Sequence, residues 1–265
     1  MTVRLVVVGA SGRMGKAIVR LASERSDVVL VGAVGLQNTD VDVGVAAGVR
    51  ALDVAIEPTL DVIGRTNPDV LIDFTSPGVT AEVVPIASQH RVRIVSGTTG
   101  LSEIEMQMLD AAAHTTAVLW EPNMSVGVHV LSRIVASAIE ALGPGFDAEI
   151  VEAHHRMKID APSGTAIRLA EVVERTRAKD KLVRVYGREG KPGRRPSNEV
   201  AVLAMRGGDV IGDHTVHLMG LGERLELTHR ATSRDVFAHG ALRAAVWIAK
   251  KGPGRYSLSD VIGDA

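Results

Sequence analysis

The fifteen residues EAHHRMKIDAPSGTA, Glu152 to Ala166, hold two imidazoles, two cations and a Pro-Ser-Gly-Thr turn. A run this polar builds little core, so chemistry is the first reading. Pro162 restricts the backbone. Ser163, Gly164 and Thr165 open a helix whose free amides and two hydroxyls suit a small anion such as a carboxylate. Lys158 brings a full positive charge and a movable proton, and His154 and His155 titrate near neutrality. Hydride reduction of a C=N or conjugated C=C–C=N bond leaves negative charge that must be protonated. A cationic Lys or His beside that atom serves as general acid. Structural readings stand beside this one. Adjacent strand residues face opposite ways, so His154 and His155 need not share a site. Glu152 and Asp160 add no recurrent ligand spacing, so no metal is expected. The scattered His90, His114, His129, His214, His217, His229 and His239 read as core or surface residues, and Arg194 and Arg195 as a solvated loop.

A second constellation is GASGRMG, Gly9 to Gly15, which follows an apolar run and opens a helical pattern. The glycines allow a tight turn, close approach to a pyrophosphate and close helix–strand packing, and the helix start supplies amides and positive dipole. A bare glycine pattern is weak evidence, but the strand-turn-helix context favours dinucleotide binding over a plain turn. Arg13 is open to two readings, a phosphate partner or a solvated helix cation. The second strand ends in VGAVGLQNTD, which places Gly35, Leu36 and Gln37 where an NAD site usually carries an acid, with Asp40 too far on. NADPH, or use of both coenzymes, follows as the expectation. SGTTG, Ser96 to Gly100, ends another strand on the same edge. Gly97 can let a nicotinamide lie against backbone, Thr98 and Thr99 can donate hydroxyls, and the plain alternative is an ordinary loop. EPNMS, Glu121 to Ser125, leads into an interdomain helix and reads as a hinge.

The elements that position these groups alternate in the first half. Leu5–Val8, Val28–Val34, Asp69–Thr75, Arg91–Gly100 and Thr116–Trp120 read as strands separated by helical patterns, which implies a doubly wound parallel sheet. Ser102 and Glu105 are spaced as a capping box. After Asn123 comes a helix ended by Gly143-Pro144-Gly145. Four strand-like segments follow (DAEIVEAHH, NEVAVLAMRGG, DVIGDHTVHLMG, GERLELTHRA), with one helix, TAIRLAEVVERTRAK, among them. They suggest an open, mostly antiparallel or mixed sheet. From Ser233 the pattern is helical, with Phe237, Ala241, Ala244, Ala245 and Ile248 on one stripe. The expectation is an α/β protein: a Rossmann-like domain, residues 1–124 plus 234–265, with an inserted α+β substrate domain, residues 125–233.

Composition narrows the partners. Of 265 residues 46% are hydrophobic and 23% charged, and the net charge is −1. Nothing points to nucleic acid or a membrane surface. No apolar run reaches the roughly 20 residues that span a bilayer. With no cysteine, disulfides, thiolate metal sites and thiol nucleophiles are excluded and a reducing, cytoplasmic setting is expected. Semialdehyde dehydrogenases working through a covalent thiohemiacetal fall with the thiol.

GASGRMG, DFTSP, SGTTG, PNMSVGV, EAHHRMKIDAPSGTA, GERLELTHRATSR and FAHGALRAAVWI occur in the order seen in the 4-hydroxy-tetrahydrodipicolinate reductase family, and the resemblance covers nearly the whole chain. It implies NAD(P)H-dependent reduction, with loss of water, to tetrahydrodipicolinate on the diaminopimelate route to lysine. It also implies a homotetramer built through the substrate-domain sheets. Carried residue by residue, it makes His154 proton donor/acceptor and Lys158 proton donor. His155, Ser163, Gly164, Thr165 and Thr99 hold the dicarboxylate substrate. Gly9, Ala10, Ser11, Gly12, Arg13 and Met14, Gly97, Thr98 and Thr99, and Glu121, Pro122, Asn123 and Met124 line NADPH or NADH. The chain departs from the family at Glu121, where Ala is usual, at His129, where Asn is frequent, and at Leu36 and Gln37. Two other classes compete: an amino-acid dehydrogenase of similar architecture, which should lack the anion turn at Pro162–Thr165, and a dinucleotide sensor, which would have no use for Lys158 and His154.

Overall fold

Short apolar runs and longer amphipathic ones alternate through the first 126 residues. The computed structural model describes residues 2–263. They divide into two compact units, residues 2–126 with 235–263, and Gly127–Arg234. The chain begins with β1 (Val3–Val8), α1 (Arg13–Ser23), β2 (Val28–Val34), α2 (Val43–Ala46), β3 (Ile56–Glu57) and α3 (Asp61–Thr66). It continues through β4 (Val70–Asp73), α4 (Pro77–Gln89), β5 (Arg93–Ser96), α5 (Glu103–Ala112) and β6 (Ala117–Trp120). Then come α6 (Val126–Leu142), β7 (Asp147–His154), α7 (Gly164–Thr176), β8 (Val183–Val185), β9 (Glu199–Arg206), β10 (Gly212–Met219) and β11 (Arg224–Ala231). The last elements are α8 (Asp235–Ile248), β12 (Gly254–Tyr256) and α9 (Leu258–Gly263).

In the first unit seven strands form one sheet in the order β12-β6-β5-β4-β1-β2-β3, with every pairing parallel. Leu5, Val6 and Val7 of β1 are fully buried, as a central parallel strand requires when helices cover both faces. One face packs against Ile18 and Val19 of α1 and Ala241, Leu242, Ala244, Ala245 and Ile248 of α8. Burying each Ile, Leu or Val side chain stabilises by about 1.5–3 kcal/mol. The expected stripe of the last helix is therefore its core face, and Phe237 packs on its rim. The Ser102–Glu105 capping box forms, with Ser102 N donating to Glu105 Oε2 at 2.7 Å. The doubly wound reading missed the short pieces α2, β3, α3, β12 and α9, which are too brief to carry a periodic signal.

The second unit is a five-stranded mixed sheet in the order β11-β10-β7-β9-β8. β7, β9 and β8 run parallel, while β10 is antiparallel to both β7 and β11. α7 covers one face as expected, and α6 shares it. Leu131, Val135 and Ile139 join Leu169 and Val173 over Ile150, Val202, Val216 and Leu218. β10 alternates buried and half-buried residues along its length, the period-two pattern of a sheet with one packed face. Arg195 corrects the expectation of a solvated loop. Its Nε donates to Glu149 Oε1 at 2.8 Å and its Nη1 to Asp147 Oδ1 at 2.6 Å. Arg188 bonds both Glu149 oxygens at 2.9 Å. Glu149 is buried on β7, and an ionised carboxylate there needs cations within reach.

Candidate active site

The strand-turn-helix after β1 has the backbone its glycines suggest. Gly9 sits at φ +83°, and a Cβ there would lie 2.8 Å from the Phe74 carbonyl oxygen. A side chain at Gly15 would overlap the Gly9 carbonyl, so α1 can start this close to β1 only with glycine. Gly12 is the N-cap of α1 and offers no side-chain cap, which leaves the first-turn amides open to a ligand. Ala10 is buried, Ser11 lies against Gly35 at the end of β2, Met14 packs on the core, and Arg13 is exposed. These residues fit a pyrophosphate. At the end of β2, Leu36 is 82% exposed and no carboxylate takes its place, as the sequence implies.

The neighbouring strand ends are tied by a carboxylate that the sequence reading did not single out. Asp73, buried at the end of β4, accepts from Thr75 (2.5 Å), Thr80 (2.6 Å), Ser96 (3.0 Å) and Thr98 (3.0 Å) hydroxyls. This corrects the use expected of the Thr98 hydroxyl. Its proton goes to Asp73, its oxygen accepts from Thr75 N at 3.1 Å, and the side chain is buried. Thr99 is exposed. At Gly97 the space of a side chain is filled by the Phe74 ring, so internal packing alone demands glycine there. After β6, Glu121 and Met124 are buried, Pro122 is half-buried, and Asn123 Oδ1 accepts from Ser125 N at 2.9 Å.

In the second unit the sheet register assembles a polar cluster at one end of β7. Glu152 pairs with His214 across β7–β10, and His154 with Arg206 across β7–β9. Glu152 is fully buried, and each of its oxygens takes two hydrogen bonds. Oε1 accepts from Ser163 N (2.9 Å) and Arg206 Nη2 (2.8 Å). Oε2 bonds His154 Nδ1 (2.6 Å) and accepts from Arg206 Nη1 (2.8 Å). Arg206 Nη2 also donates to the Asp160 carbonyl at 2.7 Å, so one guanidinium joins the strand to the loop that carries Lys158. Lys158 Nζ donates to both Asp160 oxygens at 2.8 Å. Ser163 is the N-cap of α7, with Oγ accepting from Ala166 N at 3.2 Å and lying 3.0 Å from His214 Nε2. Of the two hydroxyls expected in the anion turn, the one on Ser163 is thus buried and structural. Gly164 is exposed and Thr165 half-buried at the helix start. His155 follows β7 and, among the described residues, its ring makes no hydrogen bond.

His214 is a further correction. It is 3% exposed, stands edge-on to His154 with ring centroids 5.2 Å apart, and belongs to this cluster rather than to a generic core. Burial pushes its pKa down to about 4, with the neighbouring His154 acting in the same direction. Burial also lowers His154, against the raising effect of Glu152. Burial alone would raise Glu152, but Arg206, His154 and the Ser163 amide outweigh it and hold the carboxyl below its ordinary value. Asp160 is lowered by its bond to Lys158. Arg206 and His214 are one residue each on separate apolar strands, and only register brings them here; local pattern carries no signal for them. Among the described residues no group of His, Asp and Glu could hold a metal ion.

The first unit thus has an open helix start after β1, and the second carries His154, Lys158 and the start of α7 in one hydrogen-bonded cluster. Residues 3–124 match the family model described as dihydrodipicolinate reductase, N-terminus, and residues 127–262 match its C-terminus. The chain belongs to the dihydrodipicolinate reductase family. Two relatives named 4-hydroxy-tetrahydrodipicolinate reductase show how closely this reductase sequence is matched. That of Myxococcus xanthus is 43% identical over 98% of both chains. That of Alkalilimnicola ehrlichii is 43% identical over 99% of this chain and all of the relative. Among solved structures, a dipicolinate-bound dihydrodipicolinate reductase from Paenisporosarcina sp. TG-14 superposes with a TM-score of 0.77 at 23% identity, covering 97% of this chain and 98% of that one. A C. glutamicum DAP dehydrogenase in complex with DAP reaches a TM-score of 0.56 at 16% identity over 98% and 94% of the two chains. The fold is therefore shared beyond the family.

Proposed function

We propose that this chain catalyses the NAD(P)H-dependent reduction of 4-hydroxy-tetrahydrodipicolinate to tetrahydrodipicolinate, the reductive step toward diaminopimelate and lysine. Membership of the reductase family over both halves of the chain, with relatives of that name at 43% identity, carries this reading. Bound NAD(P)H supplies the hydride. Gly9 to Met14 give the turn and open helix start for its pyrophosphate, and Gly97 to Thr99 and Glu121 to Met124 form the neighbouring strand ends. The lack of a carboxylate at Leu36 removes the usual repulsion of a 2′-phosphate, which favours NADPH or use of both coenzymes.

The dicarboxylate is held by the first amides of α7 at Gly164 and Thr165 and by His155, with Ser163 fixing the turn rather than reaching the ligand. His154 exchanges the proton through its ring. Lys158 delivers a proton and neutralises charge, and Asp160 holds its ammonium until substrate arrives. The first unit is the coenzyme domain; the second binds substrate and pairs subunits. On the sheet face away from α6 and α7, Met205 is 56% exposed and the Thr215–Thr228 hydroxyl pair (3.0 Å) is exposed. Such a face suits a homotetramer. Among the described residues no helix is long and apolar enough to cross a membrane, and the absence of cysteine fits the reducing cytoplasm.

The test combines the protein with pyruvate, aspartate semialdehyde and the upstream synthase, and follows oxidation of NADPH and NADH by absorbance. Turnover with at least one coenzyme is expected; none with either overturns the proposal. Light scattering should find four chains per particle.

A further inference from the structure

We infer that Glu152, clamped by Arg206, is a positioning residue: it holds His154 with the proton on Nδ1 and Nε2 free to exchange, and it sets the start of the anion turn through Ser163. The role of His154 in this inference rests on the proposed reaction, whereas the tautomer does not.

The hydrogen-bond inventory forces the tautomer. An ionised carboxylate only accepts, and both Glu152 oxygens are filled by the Ser163 amide, two guanidinium N–H groups and His154 Nδ1. Nδ1, at 2.6 Å, must therefore be the donor. Nε2 has no hydrogen-bond partner among the described residues. The position facing it is Gly212, where a Cβ would stand 3.1 Å from Nε2. The charged and titratable groups around the ring are Glu152 on β7, Lys158 on the following loop, Arg206 on β9 and His214 on β10. Only Glu152 favours the imidazolium; the three others oppose it or, like His214, stay neutral near pH 7. Because one carboxylate bonds both His154 Nδ1 and Ser163 N, the proton donor and the anion turn share a single anchor. Arg206 extends that anchor to the Asp160 carbonyl beside Lys158.

Long-range proton–nitrogen spectra of the intact histidine-labelled protein read the tautomer without substrate. Nδ1–H on neutral His154 is expected; Nε2–H overturns the inference. Glu152→Gln keeps the shape but presents an amide N–H toward at least one existing donor. With the Gln carbonyl kept on Ser163 N the anion turn stays, so KM for the dicarboxylate should change by less than roughly 3-fold, while kcat, through the lost acceptor at His154 Nδ1, should fall about 10²-fold, the scale of general acid catalysis. The limb of the pH profile along which activity falls as pH rises should move to lower pH, because the imidazolium loses its counter-charge. A merely structural role would not move that limb, and an unchanged kcat and limb overturn the inference. Should Glu152→Gln not fold, the wild-type spectra and Glu152→Asp, whose shorter carboxylate should give a smaller shift in the same direction, decide instead. A wild-type protein that turns over neither coenzyme counts against the proposed reaction, and the tautomer still decides the inference.

Discussion

Two carboxylates buried near strand ends, Asp73 in the first unit and Glu152 in the second, are satisfied in opposite ways. Asp73 accepts from four neutral hydroxyls and faces no cation in that set. Glu152 accepts from a guanidinium, an imidazole and an amide. Hydroxyls can rotate, so the Asp73 hub ties the loops after β4 and β5 without coupling them to a titrating side chain. The Glu152 hub is built from charge, so its neighbours cannot change protonation or position independently. The first arrangement suits a rigid edge for a coenzyme. The second suits a place where a proton moves.

The sharpest test of that contrast removes the cation. Arg206→Ala leaves Glu152 buried without its guanidinium and should lower unfolding free energy by about 3–5 kcal/mol in denaturant titrations. A loss no greater than that of a surface arginine would mean that water replaces the pair. Lys158→Ala should lower kcat by roughly 10²-fold or more, about 2.7 kcal/mol of barrier, with coenzyme binding largely kept. Normal turnover would remove Lys158 from the mechanism.

The third test uses pH. The unfolded chain protonates His214 below about 6.5, but the folded one only near 4. This contribution to stability is complete above that upper value and is lost as pH falls through the window, by at most about 1.4 kcal/mol per pH unit. His214→Gln should flatten the slope of stability against pH there, and an unchanged slope would place the titration elsewhere. The smallest effect belongs to the neutral hub. Asp73→Asn keeps one carbonyl acceptor, and the hydroxyls can turn to meet the amide, so a loss of about 1 kcal/mol is expected by thermal unfolding. A cost equal to that of Arg206→Ala would erase the distinction between the two regions.

Legibility in the sequence followed the range of the interactions. The glycines of GASGRMG, the Ser102–Glu105 box, the apolar stripe of α8 and the long strands are local patterns, and they form where expected. Resemblance of the motifs to a reductase family was equally visible, because a motif keeps its residues in order along the chain. Thr98, Ser163, Arg195 and His214 were read less well. Each has a direction or a partner set by a residue between 11 and 51 positions away, as Ser163 shows with Glu152 and His214.

What the sequence determined alone was the longer elements, the fold class and the inventory of reactive groups, since propensity, periodicity and spacing act over a few residues. Tertiary structure alone decided the proton partners. Parallel register put Arg206 beside His154, antiparallel register put His214 opposite Glu152, and burial then required the Glu152 oxygens to be filled. Register is a property of two strands at once, and neither strand carries it by itself.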